Sequence, residues 1–178
     1  MVGEPVVRAF FRDTLAGWAS GLVAAAVMLR WLPDGWYQTV GFGLLPGLSV
    51  GLAQSRHLGA FVPPAVWIRH SVITAFVAFM GAVTISTQVD RTVVNAALIG
   101  AGAGLVVGYG QVTSILLHVR RIGRWLGACA AALGVTYAAM VALTPRAEPG
   151  LVMLTLGGVL FATAQSWLFG NLVDSARG

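Results

Sequence analysis

Apolar residues run along this chain in long blocks, broken at a few points by short clusters of proline, glycine and charge. A helix needs on the order of 20 apolar residues to cross the hydrocarbon of a bilayer. On that measure the blocks predict six membrane-spanning helices, at about 14–32, 38–61, 65–87, 93–119, 122–144 and 150–173. Four separators, "LPDGW" at 32–36, "VPP" at 62–64, "QVDR" at 88–91 and "TPRAEPG" at 144–150, combine the residues that stop helices. The fourth and fifth blocks are parted instead by a charge cluster, "HVRRIGRW". Charges do not recur every turn within the blocks, so these are not the amphipathic faces of water-soluble helices. The pattern predicts an all-α polytopic membrane protein, with residues 1–178 as a single transmembrane domain.

The polar positions inside the blocks are few, and three of them repeat. Gln54 follows Gly47 and Gly51, Gln111 follows Gly104 and Gly108, and Gln165 follows Gly158 and Ala162, always at the same spacing. The copies are offset by 57 and 54 residues, each on an even-numbered block, and each preceding odd block carries a tryptophan, Trp18, Trp67 or Trp125. The chain therefore reads as three tandem two-helix repeats, about 12–61, 65–119 and 122–173. A two-span unit returns the chain to its starting side, so successive units are parallel and related by an axis along the membrane normal, giving pseudo-threefold symmetry. Positions i, i+4 and i+7 share one helix face. Small residues there let backbones approach closely, and a buried amide can hydrogen-bond across the contact. Each Gly-x-x-x-Gly/Ala-x-x-Gln set is expected to be a packing groove closed by a polar latch. Pro46 aligns with Ala103 and Gly157, so a kink is expected in the first unit alone.

Charge fixes an orientation. With six spans, Arg8, Arg12, Arg56, Arg69, Arg120, Arg121, Arg124 and Arg177 share the side of the termini, against Arg30, Arg91 and Arg146 on the other. Cytoplasmic segments hold the excess of positive charge, so both termini are expected to be cytoplasmic, in the inner membrane of a bacterial cell. The block after Arg8 and Arg12 runs on without a small-residue cleavage site and reads as an uncleaved first span. Composition agrees: 57% of the 178 residues are hydrophobic and 10% charged, against roughly a quarter charged in soluble domains. The net charge of +5 comes with no basic stripe interleaved with aromatics, so nucleic acid is not an expected partner. The single cysteine, Cys129, excludes an internal disulfide framework and reads as inert packing.

Candidate chemistry is sparse. Glu4, Asp13, Asp34, Asp90, Glu148 and Asp174 all lie at helix ends or in loops, which disfavours proton-coupled transport through this chain alone. His57, His70 and His118 fall near the inner ends of three spans and are weak candidates for a metal or haem, lacking paired ligand spacing. No motif places a base beside a nucleophile, so catalysis is not expected. No cofactor is expected either. On the opposite side, Trp31, Trp36 and Tyr37 surround Arg30 and Asp34 as an interfacial aromatic belt, or as a lid over an outward-facing ligand pocket.

The repeated Gly-x-x-x-Gly-x-x-Gln helices resemble those of uncharacterised bacterial multi-pass membrane proteins, a resemblance that covers most of the chain and implies no known activity. The chain is also similar, more weakly, to the vitamin-binding S components of energy-coupling-factor transporters. That similarity rests on size, six spans and a small-residue face, Ala16, Ser20 and Ala24, on the first helix, and it implies a docking helix and a bound small molecule. The leading expectation is a non-enzymatic accessory or packing subunit of a larger membrane complex, or a homo-oligomer, in the lipid bilayer. The alternative is a binding or transport component for a small hydrophobic ligand, and the third is a haem, metal or pigment carrier.

Overall fold

The computed structural model describes residues 4–31, 36–115, 122–144 and 149–175, apart from the side chains of 4, 29–30, 36–42, 149–150 and 174–175. All secondary structure among these residues is helical. The helices are α1 (Glu4–Trp31), α2 (Trp36–Leu58), α3 (Pro64–Ser86), α4 (Val93–Ile115), α5 (Ile122–Leu143), α6 (Pro149–Val152) and α7 (Gly158–Ser175). A π-helical segment, Met153–Gly157, joins α6 to α7, so the last three pieces form one rod. Four segments, Pro64–Ser86, Val93–Ile115, Ile122–Leu143 and Met153–Val173, are long and apolar enough to cross a membrane.

Helix ends follow local chemistry. Pro63 and Pro64 open α3, where a missing N–H costs nothing because the first turn has no acceptor for it. Thr92 precedes α4 and accepts the Asn95 amide N–H at 3.1 Å, and Asn95 Nδ2 donates to the Asp90 carbonyl at 3.0 Å. The first helix starts ten residues before the expected apolar block. Lipid immersion limits only the apolar count, whereas α1 still has a face to bury there: Phe10 stacks on Phe169 with ring centres 4.3 Å apart.

Glycines set the order of the rods. A Cβ on Gly17 would lie 2.8 Å from the Ser49 carbonyl oxygen, and one on Gly21 would lie 2.6 Å from the Pro46 Cα, so α1 and α2 touch backbone to backbone. A Cβ on Gly47 would sit 2.7 Å from the Ala75 Cβ, which seats α2 on α3. Gly104 and Gly100 abut the Cys129 and Leu133 carbonyls and join α4 to α5. Gly110 meets Thr74 between α3 and α4, Gly157 meets Thr136 on α5, and Gly158 meets Trp18 and Leu15 on α1. Paired residue numbers run in opposite directions at each contact, so the rods form a closed antiparallel ring in chain order. The start of α1 and the end of α7 lie at one end, the terminal end, with the α2–α3 turn, the end of α4 and the start of α5; the end of α1, the start of α2, the α3–α4 turn, the end of α5 and the start of α6 lie at the other, the far end.

Two clusters fill the ring unequally. Toward the terminal end, Phe10, Leu58, Trp67, Ile115, Trp125 and Phe169 belong to one buried core drawn from all six rods. Toward the far end a smaller set, including Val50, Ala78, Ala103, Val107, Leu133 and Phe161, forms a thinner layer.

Candidate functional site

Between these clusters lies a polar layer. Gln54, Gln111 and Gln165 are 0%, 1% and 0% exposed, although none carries a charge to anchor it. Gln54 Nε2 donates to Thr14 Oγ1 at 3.3 Å. Gln165 Nε2 donates to Gln111 Oε1 at 2.9 Å and to Cys129 Sγ at 3.2 Å, and Trp125 Nε1 donates to the same Gln111 oxygen at 3.3 Å. Two of the glutamines thus reach the small polar residue on the preceding odd helix, Thr14 or Cys129. The corresponding residue for Gln111 is Ser71, four positions after Trp67 as Cys129 is four after Trp125. Ser71 Oγ has no hydrogen-bond partner among the described residues, nor do Gln54 Oε1, Gln165 Oε1 and Trp67 Nε1. A buried polar atom left unpaired costs roughly 1–3 kcal/mol, so this belt is an energetic soft point in an otherwise apolar interior.

The sequence motifs fall on this layer and on the contacts above it. Gly47 and Gly51 pack on α3, Gly104 and Gly108 on α5, and Gly158 on α1, while Ala162 is completely buried. Each groove therefore faces the helix that follows it in the ring, and the last faces α1. The three odd-helix tryptophans do not share a level. Trp67 and Trp125 are buried beside the glutamine layer, and the α1 residue standing four before Thr14 is Phe10. Trp18 lies nearer the far end, where it stacks on Phe161 at 5.2 Å and donates its Nε1 proton to the Met153 carbonyl at 3.1 Å. A π turn shifts the helical hydrogen-bond ladder, and this indole supplies a donor to a carbonyl within it.

Beyond Val50, Val107, Leu133 and Phe161 the ring opens into a cavity of about 530 Å3. Every rod contributes to its wall, as Trp18 (α1), Pro46 (α2), Ala78 (α3), Val107 (α4), Leu133 (α5) and Met153 (π segment) illustrate. The lining is hydrocarbon and aromatic, with Tyr137 the sole hydroxyl-bearing residue among the lining side chains described. Such a volume lies within the range of small-molecule pockets, roughly 300–1,000 Å3. Its described lining suits an apolar body held away from water. A second space of about 610 Å3 with a mixed lining, Ser86, Asp90, Arg91, Thr92 and Thr144 beside Val89, Ile99 and Val141, adjoins at Tyr137 and Met140.

The remaining candidates lie elsewhere. Trp31 is 82% exposed, Trp36 begins α2, and the Trp36 and Tyr37 side chains and residues 32–35 lie outside the described residues. His118 also lies outside them. His57 Nε2 is 2.9 Å from Asp13 Oδ2. This hydrogen bond from His57, with Arg12 alongside, holds the Asp13 carboxyl below its ordinary value, against the opposing effect of partial burial. His70 is partly buried and its Nδ1 has no partner among the described residues. No three His, Cys, Asp or Glu side chains among the described residues come together as a metal site.

Sequence reasoning missed the cavity wall. Its signal was present as small residues at helical spacing on α3, Ala75 and Ala78. No family model, curated protein or solved structure matches this chain.

Proposed function

We propose that this chain is a six-span protein of the cytoplasmic membrane that binds a small apolar molecule in the far-end cavity, without catalysis. In this reading its three two-helix units surround a pseudo-threefold axis, and the bias of arginines toward the terminal end supports cytoplasmic termini. The observation that carries the binding reading is the cavity itself: all six rods line one apolar space, while the other half of the same ring is filled. A chain selected only to pack would fill both halves, because lost contacts are lost stability.

A second reading, an accessory subunit of a larger assembly, draws support from α1. Ala16, Ser20 and Ala24 are exposed on the outside of the ring, where a small-residue face permits close approach of another helix. The two readings are compatible, since a binding component can dock through that face.

Native mass spectrometry of protein purified in mild detergent tests the binding reading. The expected spectrum carries a bound small molecule that is released on denaturation and is absent from Ala78→Leu, which narrows the cavity. A wild-type protein that folds, carries nothing and takes up no apolar probe would overturn it. Co-purification of a stoichiometric partner, abolished when Ser20→Leu places a bulky side chain on the α1 face, would establish the subunit reading.

A further inference from the structure

We infer that the ligand of the far-end cavity is a small amphiphile, a hydrocarbon body carrying one oxygen-bearing head that accepts a hydrogen bond from the Tyr137 hydroxyl. This rests on the reading of the cavity as a binding site and adds the class of molecule. Three observations lead to it. First, the cavity offers a ligand almost no polarity: Trp18 is committed to the Met153 carbonyl, and among the described residues the remaining wall other than Tyr137 has no polar side chain. Second, Tyr137 lines both the cavity and the adjoining mixed groove, so it stands where one space becomes the other. Its hydroxyl has no hydrogen-bond partner among the described residues, although the side chain is partly buried against the far-end core. Third, the groove beyond it has a mixed lining in which Ser86, Thr92, Thr144 and the oppositely charged Asp90 and Arg91 stand among Val89, Ile99 and Val141.

An entirely apolar molecule would leave the tyrosine hydroxyl unpaired in a space from which it displaces water, a loss for a phenol that otherwise finds a partner. A strongly polar molecule would lose its hydration against the hydrocarbon wall. A molecule with one oxygen at one end satisfies both, its body against Trp18 and Leu133 and its head at Tyr137. Because Asp90 and Arg91 line the same groove, the head is read by hydrogen bonding and not by net charge.

Two brominated probes test this, 11-bromoundecanol and 1-bromoundecane, titrated at equal mole fraction into detergent-solubilised full-length protein. Bromine quenches indole fluorescence at short range, and the saturable quenching that Trp18→Phe abolishes reports occupancy of the cavity. The alcohol is expected to bind roughly five-fold more tightly than the alkyl bromide, the worth of one ordinary hydrogen bond. Tyr137→Phe is expected to bring the alcohol down to the alkyl bromide and leave the latter unchanged. Equal binding of the two probes to wild type, or equal weakening of both by Tyr137→Phe, would overturn the amphiphile while leaving an apolar binding site in place. Absence of saturable quenching by either probe would remove the binding site as well.

Discussion

At the terminal end of the ring, Phe10, Trp67, Trp125 and Phe169 meet in the interior; about two turns farther along the same helices the inward residues are Trp18, Ala75, Leu133 and Phe161. On α3 the change is from tryptophan to a run of alanines, Ala75, Ala78 and Ala82. On α4 it is from Ile115 and Val112 to Val107 and Ala103, and on α2 from Leu58 to Pro46 and Gly43. Only α1 runs the other way, from Phe10 to Trp18. The two halves share one backbone ring, so the contrast is one of side-chain volume. Dispersion is lost wherever a wall has no partner atoms, and the far-end half forgoes that stabilisation over about 530 Å3.

The strongest way to break this comparison is to part the rods on which both halves depend. Gly104 lies against the Cys129 carbonyl, with no space for a side chain. Gly104→Leu is expected to lower stability by about 3 kcal/mol or more, read as loss of the monodisperse peak on size exclusion. Gly127 has nothing near its Cβ direction, and Gly127→Ala is expected to leave the peak intact. A tolerated Gly104→Leu would dissolve the ring order.

The next test compares a filled position below the cavity with one in its wall. Ala162 is completely buried below the cavity, whereas Ala78 lines it. Ala162→Leu is expected to destabilise by about 1–3 kcal/mol through overpacking, and Ala78→Leu to leave the melting temperature level or raise it. Equal loss from both would mean that the cavity wall is as tightly filled as the layer beneath it.

A smaller effect probes the layer between the halves. Replacing Gln54, Gln111 and Gln165 with leucine removes the amide links to Thr14 and Cys129, each worth roughly 0.5–2 kcal/mol in a membrane interior. The melting temperature in detergent is expected to fall, with Gln165→Leu the most harmful single change because Gln165 bonds both Gln111 and Cys129. An unchanged melting curve would remove the latch role.

The smallest effect lies at the terminal end, at Asp13 just before the first expected span. The folded Asp13 carboxyl is held below its ordinary value of 3.8 by its hydrogen bond to His57. A depressed carboxyl contributes stability that is fully present above its unfolded value and is lost as pH falls through the folded value. Wild type is therefore expected to lose more stability than Asp13→Asn between about pH 5 and about pH 3, followed by thermal melting. Parallel pH profiles would show that the pair contributes nothing.

Much of the helical framework was legible in the sequence, because proline, glycine and charge punctuate the apolar blocks within a few residues of the observed ends. The burial of Gln54, Gln111 and Gln165 was also legible, since each sits on the small-residue face of an apolar helix. The pairing of grooves with neighbours was not. A helix that is apolar all round offers no stripe to say which face turns inward, and a glycine declares its partner only when another backbone reaches it, as the Leu133 carbonyl reaches Gly100. The early helical turns before Thr14 escaped notice because an apolar count sees lipid immersion and not helix length. The cavity escaped for a related reason: a void forms from what several helices fail to supply at one level, and no single residue such as Ala75 or Ala78 marks it.

Xenon binding measures that contrast most directly, because dry apolar cavities take up the gas while filled cores do not. Crystals of delipidated protein held under xenon pressure should show electron density between Trp18, Ala78 and Leu133 and none among Phe10, Trp67, Trp125 and Phe169. Xenon in neither half, or in both alike, would contradict an interior that is closed at the terminal end and hollow at the other.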